Sequence, residues 1–385
     1  MPVSRRPRLA LVIDAPNWAF DGIARAIRPT LERTFDVELL YLCDYEPAWA
    51  STPTPGTAAD LFHELFCGAY DAVHLTTRVL GLRVIDPVLK ADPSLRPAAS
   101  VLDRVLRRPI TMNVHDHMIV DQPTERETAR NEFALTSGYF VSSGILAGLL
   151  RDQPDLPAPR AVIVDGVDAS AFRPAPASRL RESDRPLRVG WAGNADWGIY
   201  VGYTDHKGVR SIIEPALARA AAEGLPVEPV IHDRARNGWL PRQDVVSLIE
   251  SLDIYTCASL HEGTATSALE AMACGLPLVA TRVGILPDVV GPLQATLLVD
   301  RTVEAFVAAI RRLAADPELR VAVGAENRRI AESLTWERCG EQWRRFFEEV
   351  VAEARQRTGA MSDGAVWERH KAWSRRVERL FPQPS

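Results

Sequence analysis

Two carboxylates eight positions apart, Glu262 and Glu270, bracket the most chemically suggestive stretch of this chain, Asp253 to Thr281 (DIYTCASLHEGTATSALEAMACGLPLVAT). Small residues fill the gap between them: Gly263, Thr264, Ala265, Thr266, Ser267 and Ala268. Small side chains let a ligand approach the backbone, and the free N–H groups of a helix start suit an anion. A diphosphate fits that description, with one carboxylate on either side to accept hydroxyls, one from a sugar and one from a ribose. A purely local alternative exists for one of the two. Ser267-Ala-Leu-Glu270 also has the form of a capping box, in which Glu270 would only close its own helix.

Four further groups raise the same question. Lys207-Gly208 opens a helix, where a lysine opposes the helix dipole unless an anion lies nearby. An exposed lysine in a polar loop is the plainer account. Upstream, Leu187 to Asn194 (LRVGWAGN) is a strand running into a long aromatic-rich loop that holds Trp197, Tyr200 and Tyr203. Asn113-Val-His115-Asp116-His117 ends another strand. Joint metal binding by His115 and His117 is not expected. The loop after the first strand, Asp14 to Gly22, carries Asn17, Trp18 and Phe20, an aromatic lining for an acceptor pocket or ordinary packing.

These groups need elements to hold them. Apolar runs of strand length recur at Arg8–Ile13, Val37–Leu42, Tyr70–Leu75, Pro109–Val114, Gly138–Ser142 and Arg160–Val164, with helical stretches between several of them. After the proline-, serine- and charge-rich run FRPAPASRLRESDRP (Phe172 to Pro186) the alternation resumes. Strands are expected at Leu187–Trp191, Val227–His232, Ile254–Ala258, Pro277–Thr281 and Thr296–Val299, and helices at Val209–Ala222, Val245–Ser251, Val303–Ala314, Pro317–Ser333 and Trp336–Arg357. Alternation of this kind predicts parallel α/β sheets covered on both faces. The expected division is a first domain over 1–174, a linker over 175–186, a second domain over 187–357 and a final helical segment over 358–385 that packs back on the first. Two Rossmann-like, doubly wound domains facing across a cleft would hold a ligand at the carboxyl ends of their strands.

Composition narrows the class. The chain has 385 residues, 46% apolar and 25% charged, in the range of soluble globular proteins. Its net charge of −5 argues against general nucleic-acid binding. Basic runs at Arg104–Arg108 and Arg369–Arg376 read as solvated helix faces. The five cysteines are scattered and include no C-x-x-C pair, which speaks against a disulfide framework or zinc site and for a reducing cytosol. No stretch approaches the roughly 20 apolar residues that span a bilayer. A cytoplasmic enzyme is the expectation, with peripheral contact to the inner membrane face left open.

The Asp253–Thr281 segment resembles the E-x7-E signature of retaining glycosyltransferase family 4, the glycosyl transferases group 1, which have the GT-B fold. Asp253, Ser259, Glu262, Gly263, Glu270, Ala271, Met272, Gly275 and Pro277 carry the likeness. The resemblance implies that Glu262 binds the donor's sugar hydroxyls, Glu270 the nucleotide ribose, and backbone N–H groups near Thr266 and Ser267 the phosphates, with Gly263 and Thr264 beside them. It implies a phosphate-binding role for Lys207. Asn194 stands where the family has an arginine, which leaves charge neutralisation to Lys207 and to Arg210 or another residue. Asp165 to Phe172 (DGVDASAF) resembles the family's turn at the domain boundary. His115 and Asp116 match the family's His-Asp pair, the histidine facing the reacting sugar; Asp116, Asn17, Trp18 and Gly22 belong to the acceptor side.

The likeness implies retaining transfer from a nucleotide-diphosphate sugar to a glycan, lipid-linked or small-molecule acceptor. Lys207 and helix N-termini would stabilise the leaving phosphate, and that phosphate would take the acceptor's proton. No D-x-D pair and no signature of a pyridoxal-bearing lysine is found, so neither a metal nor an organic cofactor is expected. Glycosidase roles for the two carboxylates do not fit, since those flank a single bond. The alternatives are a catalytically degenerate GT-B subunit that only binds or scaffolds, and a sugar-nucleotide epimerase or phosphorylase.

Overall fold

The structure is a computed structural model that describes residues 5–45, 61, 64–65, 70–76, 108–121, 133, 136–199 and 202–360. The chain forms two compact units. One is built from residues within Met1–Val141, Ala147–Ile163 and Cys339–Ser385, the other from Ser142–Leu146 and Val164–Arg338.

The first unit carries β1 (Arg8–Ile13), α1 (Ala19–Leu31), β2 (Asp36–Tyr41), β3 (Ala72–Leu75), β4 (Ile110–Val114), β5 (Gly138–Val141), then helix α2 (Gly144–Arg151), which begins in the second unit's set, and β6 (Ala161–Val162). Its strands pair in the order β2-β1-β3-β4-β5-β6, every pairing parallel. Residues Leu9 to Ile13 are fully buried, as the uninterrupted apolar run requires of a strand covered on both faces.

The second unit follows as α3 (Ala177–Arg181), β7 (Leu187–Gly193), a π-helical turn (Val209–Ile213) leading into α4 (Glu214–Ala222), β8 (Val227–Asp233), α5 (Arg242–Glu250), β9 (Ile254–Cys257), α6 (Thr266–Ala273), β10 (Leu278–Ala280), α7 (Val303–Ala315) and α8 (Pro317–Ser333). The last helix, α9 (Trp336–Ala360), starts in this unit and passes into the first at Cys339. The sheet runs β10-β9-β7-β8, again all parallel. Its crossover direction reverses between β7 and β9, which makes the space beyond their carboxyl ends the topological switch point.

Three expectations about element boundaries change. The segment expected as a linker, 175–186, lies inside the second unit. It contains α3, buries Leu180, and is pinned by two arginines on the fully buried Asp253: Arg179 Nε lies 3.2 Å and Arg185 Nη1 2.7 Å from its carboxylate. Arg320 Nε donates to the Leu180 carbonyl at 2.8 Å from beneath. A proline- and charge-rich run reads as solvated only while the buried carboxylate that collects its arginines is out of view.

Residues from Cys339 onward belong to the first unit instead of the second, because α9 turns its aromatic stripe onto that sheet. Trp343 and Phe347 are fully buried, and Phe140 packs edge-on against Trp343 at 4.6 Å. The final helical segment expected over 358–385 lies, from residue 361 on, outside the described residues. Finally, the strand expected at Thr296–Val299 is a single bridge, Ala280 to Leu298. Among the described residues no helix is long and apolar enough to cross a membrane, and Cys43, Cys257, Cys274 and Cys339 are free thiols.

Candidate functional site

The loops leaving β7 and β9 meet at the switch point of the second sheet, and they carry most of the residues singled out by sequence. Glu262 is held there from two sides. Lys207 Nζ donates to its Oε1 at 2.5 Å, and the Ser259 hydroxyl donates to the same oxygen at 2.6 Å. The lysine and glutamate side chains keep 18% and 17% of their surface exposed, so the pair is largely desolvated yet reachable. Burial alone would push the Glu262 carboxyl up; the Lys207 ammonium and the Ser259 hydroxyl outweigh it and hold the group below the usual carboxylate range.

Backbone geometry brings the lysine in. Gly208 has a left-handed φ of 68°, and a Cβ there would lie 2.3 Å from the Ala258 carbonyl oxygen. Only glycine allows the two loops to touch this closely. Asp205 accepts from the backbone N–H groups of Val209 (3.0 Å) and Ser211 (2.6 Å), satisfying orphan donors of the π-helical turn that follows. Arg301 bolts the loops together, donating from Nε to the Ala258 carbonyl and from Nη2 to the Asp205 carbonyl, both at 2.8 Å. Arg301 escaped the sequence reading because nothing local marks it; its partners lie 43 and 96 residues away.

Asn194 caps the turn that follows β7, its Oδ1 accepting from the Asp196 N–H at 3.1 Å. Arg210, the suggested substitute for the missing arginine, lies 2.6 Å from Asp196 and 3.5 Å from Asp233, so its charge is already matched by carboxylates. What stands beside Lys207 is aromatic: its ammonium lies 5.0 Å from the Trp197 ring centroid. Trp197 and Tyr203 in turn pack on His206 at 4.6 and 4.7 Å.

The helix start between the two glutamates is open. Ala265, the N-cap of α6, has a left-handed φ of 70° and provides no side-chain cap. A non-glycine residue in that region carries a local conformational cost, a pattern that gathers at ligand-binding sites. Gly284 backs the same loop, where a Cβ would lie 2.6 Å from the Thr264 carbonyl oxygen. The Thr264 hydroxyl donates to Asp165 at 2.5 Å, so the turn expected only to mark a domain boundary also braces the loop between the two glutamates. Thr264→Val leaves a buried carboxylate short of a donor, and chemical denaturation is expected to register a loss of about 1–3 kcal/mol.

Glu270 corrects the capping-box alternative. Helix α6 begins at Thr266, so Glu270 lies in its second turn, 6% exposed, with Arg242 Nη1 2.7 Å from its Oε1. Burial raises its carboxyl pKa, and Arg242 offsets only part of that. Arg242 is itself mostly exposed, with its guanidinium 5.3 Å from the Phe172 ring. Glu262, Gly263, Thr264, Thr266, Ser267 and Glu270 thus occupy one loop and the first turns of one helix, with Lys207 brought to them from β7's side.

The remaining predicted residues belong to the first unit. Asn17 has a left-handed φ of 63°, and its N–H donates to Asp21 at 2.8 Å. Trp18 is half-exposed, and its carbonyl accepts from the Gly22 N–H at 3.1 Å. Nothing lies within 4 Å of a Cβ at Gly22, so no close approach requires a glycine there. His115 follows β4, its ring 5.5 Å from Phe20 in a T-shaped contact and its Nδ1 2.8 Å from the Asn113 amide. Asp116 accepts from the Met118 N–H at 3.1 Å, capping the short helix Met118–Asp121.

Residues 237–330 match the family described as "Glycosyl transferases group 1", a span that includes Glu262 and Glu270. Over 225 residues the chain is 30% identical to the MMP alpha-(1->4)-mannosyltransferase of Mycolicibacterium hassiacum, a match covering 55% of this chain and 54% of that protein. The chain therefore spans about half the length of the curated relative it matches. By structure it is similar to sucrose-phosphate synthase from Thermosynechococcus elongatus, with a TM-score of 0.67 at 16% identity, covering 90% of this chain and all of that one. It is also similar to Anabaena Alr3699/HepE in complex with UDP and glucose, with a TM-score of 0.62 at 14% identity, covering 89% of this chain and all of that one. The two all-parallel α/β units have the GT-B fold.

Proposed function

We propose that this chain is a retaining glycosyltransferase that moves a sugar from a nucleotide diphosphate to a hydroxyl acceptor. The observation that carries the reading is the Lys207–Glu262 pair at the switch point, adjoining the uncapped start of α6. In this reading the pair is the unliganded form of a donor site. Glu262, ionised and pre-positioned, accepts hydroxyls of the transferred hexose. Lys207 stays beside it and meets the negative charge that builds on the leaving phosphate. The N–H groups of Thr266 and Ser267, with the small residues Gly263 and Thr264, receive the diphosphate. The ribose diol exchanges for Arg242 on Glu270, which frees a guanidinium for the donor. His115 orients the sugar or the acceptor. The matched segment in the glycosyl transferases group 1 supports the assignment of both glutamates, and the mannosyltransferase named above supports a hexosyl donor. The departing phosphate takes the acceptor's proton, so no side-chain base and no divalent cation is required.

A panel of UDP-, GDP-, ADP- and dTDP-sugars with a chelator present tests this. Transfer or slow donor hydrolysis with one of them, and retention of anomeric configuration, are expected; no thermal shift with any nucleotide would refute it. Within that assay, Glu270→Gln is expected to raise the apparent donor KM about ten-fold with kcat nearly unchanged, since one charged hydrogen bond to the ribose becomes a neutral one. An unaltered KM would remove Glu270 from the site.

A further inference from the structure

We propose that a buried hydrogen-bond relay, Thr111 to His74 to Asn113 to His115, fixes His115 as the Nε2–H tautomer and so makes its outer ring nitrogen a hydrogen-bond donor instead of a base. The inference rests on the reading of His115 as a residue of the sugar site only for what that donor would meet. The tautomer itself follows from the first unit's own geometry.

The relay is built by strand register. His74 on β3 pairs directly with Thr111 on β4; Thr111 and Asn113 are alternate residues on one face of that strand, and His115 comes just after its end. His74 Nδ1 lies 2.9 Å from the Thr111 hydroxyl, and its Nε2 lies 3.0 Å from Asn113 Oδ1. The Asn113 amide nitrogen lies 2.8 Å from His115 Nδ1. His74 is fully buried among aromatic rings, stacked on Phe140 at 5.6 Å and met edge-on by Trp343 at 5.3 Å and Phe347 at 5.0 Å. Burial pushes its pKa down to about 3, so it is neutral at working pH.

A neutral imidazole has one donor nitrogen and one acceptor nitrogen, which gives the chain of bonds a single direction. The Thr111 hydroxyl has one proton and two acceptors within reach, His74 Nδ1 at 2.9 Å and the Val73 carbonyl at 3.4 Å. The second distance is outside the normal range for an O–H donor, so the proton goes to His74. Nδ1 of His74 then accepts, its Nε2–H donates to Asn113 Oδ1, and the Asn113 amide donates to His115 Nδ1. With Nδ1 of His115 accepting, the proton of its neutral ring must be on Nε2. Phe20 meets the His115 ring edge-on at 5.5 Å. His74 and Asn113 are therefore positioning residues for His115, and His115 hydrogen-bonds a substrate oxygen without taking a proton from it.

The test is long-range proton–nitrogen correlation on the full chain labelled with nitrogen-15 histidine, recorded above the imidazole titration range, with His115 identified by the signals lost in His115→Gln. His115 is expected to show a bare Nδ1 and a protonated Nε2. Asn113→Asp presents an acceptor to both rings and should protonate His115 Nδ1; Asn113→Leu, which buries no charge, should leave a mixture of tautomers. A protonated Nδ1 in the unaltered chain overturns the proposal, and so does a tautomer that neither variant changes. None of these readings needs a sugar nucleotide, so failure of the transferase reading would be seen separately, as no turnover by the unaltered chain. If Asn113→Asp switches the tautomer and transfer continues at the unaltered rate, the positioning role of the Nε2–H is wrong.

Discussion

Glu262→Ala is expected to lower kcat/KM for sugar transfer by about a hundred- to a thousand-fold, the scale of losing one preorganised group at the reacting centre. Lys207→Ala should do nearly as much. The double variant should lose little beyond either single one, because each residue holds the other in place and the two act as a unit. The fold should survive both, with a modest loss for Glu262→Ala, which leaves the Lys207 ammonium against Trp197 without its counter-ion at 2.5 Å. Circular dichroism and a melting curve separate this from collapse. Full activity in both single variants would end the assignment.

Acidity gives an independent reading of the same pair. The folded Glu262 pKa lies below the usual carboxylate value, so the pair stabilises the chain above the unfolded carboxylate range, and that contribution is lost as pH falls through the folded value. Glu270 has the opposite sign: its folded pKa is raised, so its ionisation opposes folding as pH rises through the carboxylate range. The Glu262→Gln chain should therefore show a flatter stability profile on the acid side than the unaltered chain.

Gly208→Ala carries the second large effect, although it removes no functional group. An alanine must adopt a φ of 68° and place its methyl 2.3 Å from the Ala258 carbonyl oxygen. The left-handed conformation and the overlap together cost about 3–5 kcal/mol if the loops stay put. Relief comes only by parting the loop before Gly208 from the loop after β9, which draws Lys207 off Glu262. The expected result is a lowered melting temperature together with a loss of transfer at least ten-fold, most of it in kcat. Gly22→Ala is the contrast: with no atom within 4 Å of the new methyl, it should leave stability nearly unchanged. Equal behaviour of the two variants would show that the contact with Ala258 does not position the lysine.

Much of the site is legible in the sequence because the motif is local. Glu262 and Glu270 fall on one strand–loop–helix unit, so eight positions of spacing and a run of small residues suffice to describe it. Lys207-Gly208 is readable for the same reason, as a helix start where a lysine is out of place. The relay under His115 was readable only in part: Asn113 and His115 stand out at a strand end, while Thr111 and His74 join them through the pairing of β3 with β4. The charge balance was not visible. Asn194 suggested a deficit that Arg210 might fill, yet Asp196 and Asp233 hold that arginine, while Arg242 reaches Glu270 and Arg301 ties the loops.

The sequence by itself determined the alternation of strands and helices, the two-unit α/β architecture and which loop carries the acids. Those follow from the period of apolar residues and from contacts within a few positions, which each segment encodes alone. Tertiary structure decided the rest: that Lys207 is the partner of Glu262, that the supposed linker folds onto Asp253, and that α9 belongs to the first sheet. Ion pairs and aromatic packing depend on which loops and strands become neighbours, and that choice is made by burial of the whole core, not by spacing along the chain.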